Sequence, residues 1–113
     1  MAVVSVKDLL ETHPFPGFTG RFVHGNSMTV AYWNIEAGRR VPEHSHHHEM
    51  MINCMSGTFE VTIDGESSIL EAGDIVLVPS HAVHSAHAIT DCHVIDVFSP
   101  VREDYKNLAI LTT

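Results

Sequence analysis

Short runs of alternating apolar and polar residues, separated by Gly, Pro and Asp, make up most of this chain. Residues 58–63 show the alternation most clearly, with Phe59 and Val61 on one face of an extended segment and polar residues on the other. Asp64-Gly65 follows, a pair that suits the two-residue type I′ turn of a hairpin. The pattern predicts strands over 18–24, 28–36, 41–46, 50–56, 58–63, 67–70, 75–78, 84–88 and 93–98, and short helical turns over 5–12 and 101–108.

Many short strands at close spacing predict an all-β sandwich or barrel. With 113 residues, 44% of them hydrophobic, the chain is expected to form a single domain over residues 1–113. A formal net charge of -8 disfavours binding to nucleic acid and to anionic membranes. No apolar run has the length of a membrane span, and the first residues lack the pattern of a secretory signal, so a cytoplasmic location is expected.

Histidine is the unusual component, with ten residues in the chain. His44 and His46 are two apart in a predicted strand, so their imidazoles are expected to point to the same side and to bind one metal ion. A third ligand is expected from the segment after Pro79, where the available histidines are His81, His84 and His87.

The residues around these histidines resemble the two motifs of the cupin family. The first motif is present as Gly-x5-His-x-His-x3-Met-x6-Gly over residues 38–57, and the second as Gly-x5-Pro-x-His-x2-His-x3-Ala over residues 73–88. The resemblance covers about residues 28–98. It implies a cupin barrel, also called a double-stranded β-helix or jelly roll, with short N- and C-terminal extensions.

The same resemblance implies a divalent metal ion, Zn, Ni, Fe or Mn, on His44, His46 and His84. Met50 stands where the family has a metal-binding Glu or Gln, and a thioether is a weak donor for such ions. A three-histidine site is therefore predicted, with Glu49 as the alternative fourth ligand or as a residue that supports the ligands. Three neutral ligands leave the charge of the metal uncompensated, which favours an anionic substrate.

The second motif shows two further departures, because His81 stands where it has Gly and Ala88 where it has Asn. His47 and His48 lie in the predicted turn after the His-x-His pair and are expected at the rim of the site.

Residues 96–105 (DVFSPVREDY) resemble the closing segment of small cupins related to KdgF, which process unsaturated uronates released from pectin and alginate. The resemblance implies catalytic roles for Asp96, Phe98 and Arg102. Asp96 and Phe98 are two apart on one strand, so Asp96 is expected to face the metal and to transfer a proton. Arg102 is expected to bind a substrate carboxylate. The structural alternative is that Asp96 accepts backbone hydrogen bonds and that Arg102 belongs to a solvated charge cluster.

The expected function is a metal-dependent enzyme that ketonises a 4,5-unsaturated uronate, an anionic small molecule. Two alternatives remain at this point, a three-histidine iron dioxygenase and a non-catalytic module that binds a metal or a ligand. Oxygen consumption identifies the dioxygenase, and metal-loaded protein without turnover identifies the binding module.

The residues that alternate with Met50, Ile52 and Cys54 are predicted to face outward. They include Met51 and Met55, and two methionines on an outer strand face are typical of a covered surface. A homodimer is therefore expected.

Overall fold

The structure, a computed structural model, describes residues 3–108, and ten β-strands lie within that range. Their bounds are β1 Thr12–Phe15, β2 Phe18–His24, β3 Thr29–Ile35, β4 Arg40–His44, β5 Glu49–Ser56, β6 Phe59–Ile63, β7 Glu66–Leu70, β8 Ile75–Val78, β9 His84–Ala88 and β10 Cys92–Ser99. The nine predicted strands are all present, and their ends differ from the predicted ones by at most two residues. A 3₁₀ helix at Glu103–Leu108 confirms the helical turn predicted over 101–108.

The first strand, β1, differs from the prediction. The helical turn expected over 5–12 is present only at Val6–Asp8, and Thr12–Phe15 form a strand that pairs with β2. The sequence disfavoured a strand here because Pro14 lacks a backbone N–H. Because β1 is an edge strand of its sheet, one of its sides has no neighbouring strand, and a missing N–H on that side breaks no hydrogen bond between strands.

The strands form two antiparallel sheets, which confirms the all-β prediction. The larger sheet has six strands in the order β1-β2-β3-β10-β5-β8, and the smaller has four in the order β4-β9-β6-β7. The β6–β7 hairpin closes as expected, since Ile63 pairs with Glu66 and the two turn residues Asp64 and Gly65 have φ values of 48° and 85°. No helix among residues 3–108 is long and apolar enough to cross a membrane.

The space between the two sheets holds the hydrophobic core, in which Phe18, Phe22 and Trp33 pack edge to face. Gly20 makes this packing possible, because a Cβ atom at that position would lie 2.6 Å from the Trp33 ring. Strand β10 runs between β3 and β5, so its inward side chains reach the centre of this space. The functional residues predicted on β10 are thus placed on the most interior strand of the larger sheet.

The opposite, outward face of the larger sheet carries exposed apolar side chains. Met51 on β5 is directly opposite Leu77 on β8, and their exposed fractions are 39% and 52%. Ile75 and Met55 extend this apolar surface, with exposed fractions of 59% and 49%. The outward orientation predicted for the two methionines is therefore confirmed, and β8 adds two residues that the sequence had not linked to them.

Candidate metal centre and cavity

Three histidines, from β4, from the segment after it and from β9, meet at one end of the barrel. His44 is the last residue of β4 and pairs with His84, the first residue of β9, whereas His46 lies in the bend that follows β4. One potential ligand atom from each residue lies within 4.8 Å of the others. His46 therefore lies outside the strand that was predicted to extend over 41–46. The three predicted ligands nevertheless converge.

Backbone carbonyl oxygens hold the Nδ1 atoms of these three rings. With Nδ1 protonated in each ring, His44 donates to Pro42 O at 2.8 Å, His46 to His48 O at 3.0 Å and His84 to Ala82 O at 2.9 Å. Such hydrogen bonds fix the tautomer and leave Nε2 as the metal-binding atom. The Nε2 atoms of His46 and His84 are buried without a hydrogen-bond partner, which a metal ion would supply.

The electrostatics of the cluster also suit a metal. Burial, together with the nearby charge of Arg102, lowers the pKa of His46 to about 4. Burial likewise lowers the pKa of His84. Both rings are therefore neutral near pH 7, the form that binds a metal ion.

The position of the family's fourth ligand is filled by Met50, which is buried and lines the cavity. Glu49, the alternative ligand, is exposed and belongs to the opposite face of β5, because neighbouring residues of a strand point to opposite sides. Among the described residues, the groups that could hold a metal are the three histidines. The structure therefore places Glu49 outside the metal centre.

The remaining histidines of the two motifs support the loop around His46. His47 is exposed, as predicted for a rim residue, but His48 is buried and its Nε2 lies 3.2 Å from Val101 O. The backbone N–H of His81 donates to His46 O, and the Ser80 hydroxyl donates to His47 O. The φ of His81 is +67°, which explains why glycine is the motif residue at this position.

Asp96 lies at the centre of β10, opposite Ala31 on one side and Ile52 on the other, and its side chain lines the cavity. Its Oδ1 atom is buried and has no hydrogen-bond partner among the described residues. Burial raises the pKa of Asp96 from 3.8 to about 7, although the Trp33 side chain and the Arg102 charge act in the opposite direction. This is the environment of a carboxyl group that exchanges a proton near neutral pH.

Arg102 is buried behind the last strand, with 9% of its surface exposed. Its guanidinium lies over the rings of Phe98 and Tyr105, 4.6 and 4.2 Å from their centroids. Nε and Nη2 donate to the two carboxylate oxygens of Asp104, at 3.0 and 2.8 Å. The sequence alternative of a solvated charge cluster therefore does not describe Arg102, although Asp104 itself is largely exposed.

These groups share a cavity of about 680 Å³ between the two sheets. The three candidate metal-binding histidines, Asp96 and Arg102 all line it, and most of the other lining side chains are apolar. The arrangement combines a metal site, a buried proton-exchanging carboxyl group and a cation in one space, which is a typical constellation for chemistry on an anionic small molecule.

Sequence reasoning had not singled out Tyr105, Trp33 or Thr29. Tyr105 and Trp33 line the cavity, and the Thr29 hydroxyl accepts the backbone N–H of Arg102 at 2.9 Å. Tyr105 belongs to the C-terminal segment that carries the family resemblance, so a signal was present for it. The other two lie on β3, and only the pairing of β3 with β10 brings them to the site.

Comparison with known proteins supports the same assignment. A 59-residue segment is 36% identical to the pectin degradation protein KdgF of Dickeya dadantii, covering 51% of this chain and 54% of that protein, so about half of the relative's length is matched. The structure of KdgF from Halomonas sp. is similar with a TM-score of 0.86 and 28% identity, over 92% of this chain and 97% of that one. An RmlC-like cupin from Shewanella frigidimarina gives a TM-score of 0.87 and 27% identity, over 93% and 96%. The family model Cupin_2, described as a cupin domain, matches residues 31–98. Because this match includes more than half of the chain, the protein belongs to the cupin family.

Proposed function

We propose that this protein is a metal-dependent enzyme that ketonises a 4,5-unsaturated uronate. The observation that carries the proposal is the joint placement of Asp96, Arg102 and the three histidines around one cavity. The similarity to two KdgF proteins, one of them described as a pectin degradation protein, supports the substrate class.

Ketonisation of the cyclic uronate is an isomerisation. The bond between C1 and the ring oxygen breaks, the C1 hydroxyl loses its proton to give an aldehyde, and the ring oxygen becomes the enol oxygen at C5. Addition of a proton to C4 then converts the enol to a ketone. The net change is the movement of one proton from oxygen to carbon, and no oxidant or reductant is consumed.

The residues of this chain fit the two requirements of the reaction. Asp96, with a pKa of about 7, is able to accept a proton from oxygen and to return it to carbon. Arg102 binds the substrate carboxylate by a charge-assisted hydrogen bond and so orients the double bond toward Asp96. Phe98 supports the guanidinium from one side. A divalent ion on His44, His46 and His84 would supply Lewis-acid stabilisation of negative charge on substrate oxygen.

The test combines metal analysis with an ultraviolet assay. Protein containing about one metal ion per chain is expected to abolish the absorbance of the double bond conjugated to the uronate carboxylate, with no dependence on O₂. Chelated protein is expected to lose this activity and to regain it when metal is restored. Stoichiometric metal without loss of absorbance would contradict the proposal and favour a binding module.

A second candidate, a three-histidine iron dioxygenase, is favoured by one observation. Met50 fills the position of the family's fourth ligand and most of the cavity wall is apolar, as an aromatic substrate requires. Oxygen consumption by the iron-loaded protein in the presence of an aromatic diol or hydroxy acid would support this candidate over the isomerase.

We also propose that the protein is a homodimer joined through the outward face of the larger sheet. Exposed apolar residues from adjacent strands form a continuous surface there, including Met51, Ile75 and Leu77. Light scattering is expected to give twice the 12.5 kDa mass of the chain. Leu77→Glu is expected to give the monomer mass, because like charges would face each other across a two-fold axis.

The matched control for this experiment is Ile69→Glu. Ile69 is an equally exposed apolar residue, with 49% of its surface exposed, but it lies on β7 of the other sheet. It is expected to leave the mass unchanged. A monomer mass for the unaltered protein at micromolar concentration would disprove the dimer.

A further inference from the structure

We propose that Asp104 is a positioning residue that holds one edge of the Arg102 guanidinium and leaves the other edge as the binding surface for a substrate carboxylate. The inference rests on the proposed function, because it concerns how the same cavity recognises an anionic substrate. It assigns a role to a residue that the structural alternative for Arg102 included in a solvated charge cluster.

The geometry of the ion pair distinguishes the two edges. A guanidinium offers two pairs of N–H donors to carboxylates, the side edge formed by Nε with one terminal nitrogen and the end edge formed by both terminal nitrogens. Asp104 occupies the side edge, since its oxygens accept from Nε at 3.0 Å and from Nη2 at 2.8 Å. Within residues 3–108 the end edge, with Nη1 and the second Nη2 proton, is left for another acceptor.

Two aromatic rings that meet edge to face also hold the guanidinium. The rings of Phe98 and Tyr105 lie 4.6 and 4.2 Å from Cζ, a distance typical of cation–π contacts. The backbone of Arg102 is fixed as well, because its N–H donates to the buried hydroxyl of Thr29. The guanidinium is thus fixed by Asp104 and by two rings, and within residues 3–108 its end edge remains for a ligand.

The burial of the two partners shows how the pair is oriented. Only 11% of the Arg102 side chain is exposed, compared with 58% of the Asp104 side chain, and both residues line the cavity. Asp104 therefore holds Arg102 from the solvent side, and the hydrogen bonds from Arg102 lower the pKa of Asp104 and keep it ionised. Solvent also screens the repulsion between Asp104 and an anionic substrate.

The neighbouring ion pair provides a comparison on the same 3₁₀ helix. Glu103 Oε2 lies 3.5 Å from Lys106 Nζ, and both side chains are exposed. Neither residue lines the cavity. An exposed pair of this kind contributes little to stability. Neutralising Glu103 therefore changes the local charge by the same amount as neutralising Asp104 without touching Arg102.

The experiment measures binding and turnover in the metal-loaded protein with four variants, Asp104→Asn, Asp104→Glu, Arg102→Ala and the control Glu103→Gln. The binding probes are galacturonate, a saturated uronate, and galactose, which has the same ring without the carboxylate. Asp104→Asn is expected to weaken galacturonate binding and raise KM by about tenfold, with kcat within about threefold and galactose binding unchanged. Arg102→Ala is expected to give at least the same loss, Asp104→Glu a partial rescue, and Glu103→Gln no change.

The outcomes separate this inference from the proposed function. Equal galacturonate binding by Asp104→Asn and the unaltered protein would overturn the inference, and so would tighter binding, because Asp104 would then compete with the substrate. Failure of the unaltered protein to prefer galacturonate over galactose would also overturn it. Selective binding of galacturonate without turnover of the unsaturated uronate would overturn the proposed function but leave the role of Asp104 supported. Melting temperatures are to be measured for all variants, to check that each of them is folded.

Discussion

His84→Ala is expected to remove the bound metal from the protein and to lower kcat/KM by at least about a hundredfold. Altering a residue that only hydrogen-bonds to a metal ligand already costs up to about a hundredfold in metal affinity or activity, so the loss of a ligand is expected to cost at least as much. His84 is the buried member of the cluster, and its Nδ1 is held by Ala82 O so that Nε2 is left for the ion. Alanine leaves two histidines, too few to fix an ion against water and competing chelators. Elemental analysis after dialysis measures the metal content directly and does not depend on turnover.

The matched control is His87→Ala. His87 lies on the same strand, three residues further on, and its Nδ1 lies 3.8 Å from a carboxylate oxygen of Glu60 rather than near the other ligands. This variant is expected to retain the metal. If His84→Ala kept one ion per chain, or if His87→Ala lost it, the three-histidine centre would be wrong.

Asp96→Asn is expected to lower kcat by about 10²–10⁴-fold, the contribution of a positioned general acid or base. The same substitution is expected to stabilise the metal-free protein at pH 8. The folded protein keeps the proton on Asp96 up to about pH 7, whereas the unfolded chain releases it near pH 3.8. Stability therefore falls as the pH rises between these two values, and the full penalty is present above pH 7.

The size of this penalty follows from the displacement of the pKa. A rise from 3.8 to about 7 corresponds to roughly 4 kcal/mol at most, which asparagine avoids because it does not ionise. Urea unfolding is expected to show Asp96→Asn more stable than the unaltered protein at pH 8 and similar at pH 4. The metal-free form is used because a bound cation would itself lower the pKa of Asp96.

Glu66→Gln serves as the control, since Glu66 is an exposed carboxylate on β7 and is expected to change neither kcat nor the pH dependence of stability. If Asp96→Asn destabilised the protein at pH 8, the carboxylate would be a structural hydrogen-bond acceptor. That result would support the alternative that the sequence left open.

The strands and the metal ligands were predictable because their signals are local. Alternation at Phe59–Ile63, the turn at Asp64-Gly65 and the spacing of His44 and His46 all reside in short segments, and the structure contains each of them. His84 was assigned through the resemblance to the second cupin motif, because the residues alone left three histidines open. The edge strand β1 was not predictable, because a proline is acceptable in a strand only where no neighbour pairs with it, and this depends on the order of strands in the sheet.

The environment of the candidate site depended on contacts that are distant in the sequence. Thr29 meets Arg102 across 73 residues, and Trp33 acts on Asp96 only because β3 pairs with β10. The orientation of Asp104 depends on where Arg102 packs against the rings of Phe98 and Tyr105. Local sequence patterns define which face a residue occupies, but they do not define which other strand lies beside it.

The distribution of the candidate site along the chain has a consequence for altering the proposed activity. The ligands and Asp96 belong to the barrel and its adjoining bend, whereas Arg102, Asp104 and Tyr105 follow the last strand. Under the proposed function, exchange of residues 102–105 for those of a related barrel is expected to change the anion preference while the histidines and Asp96 keep their places in the barrel. Substrate range would then be open to redesign through a short run of consecutive codons.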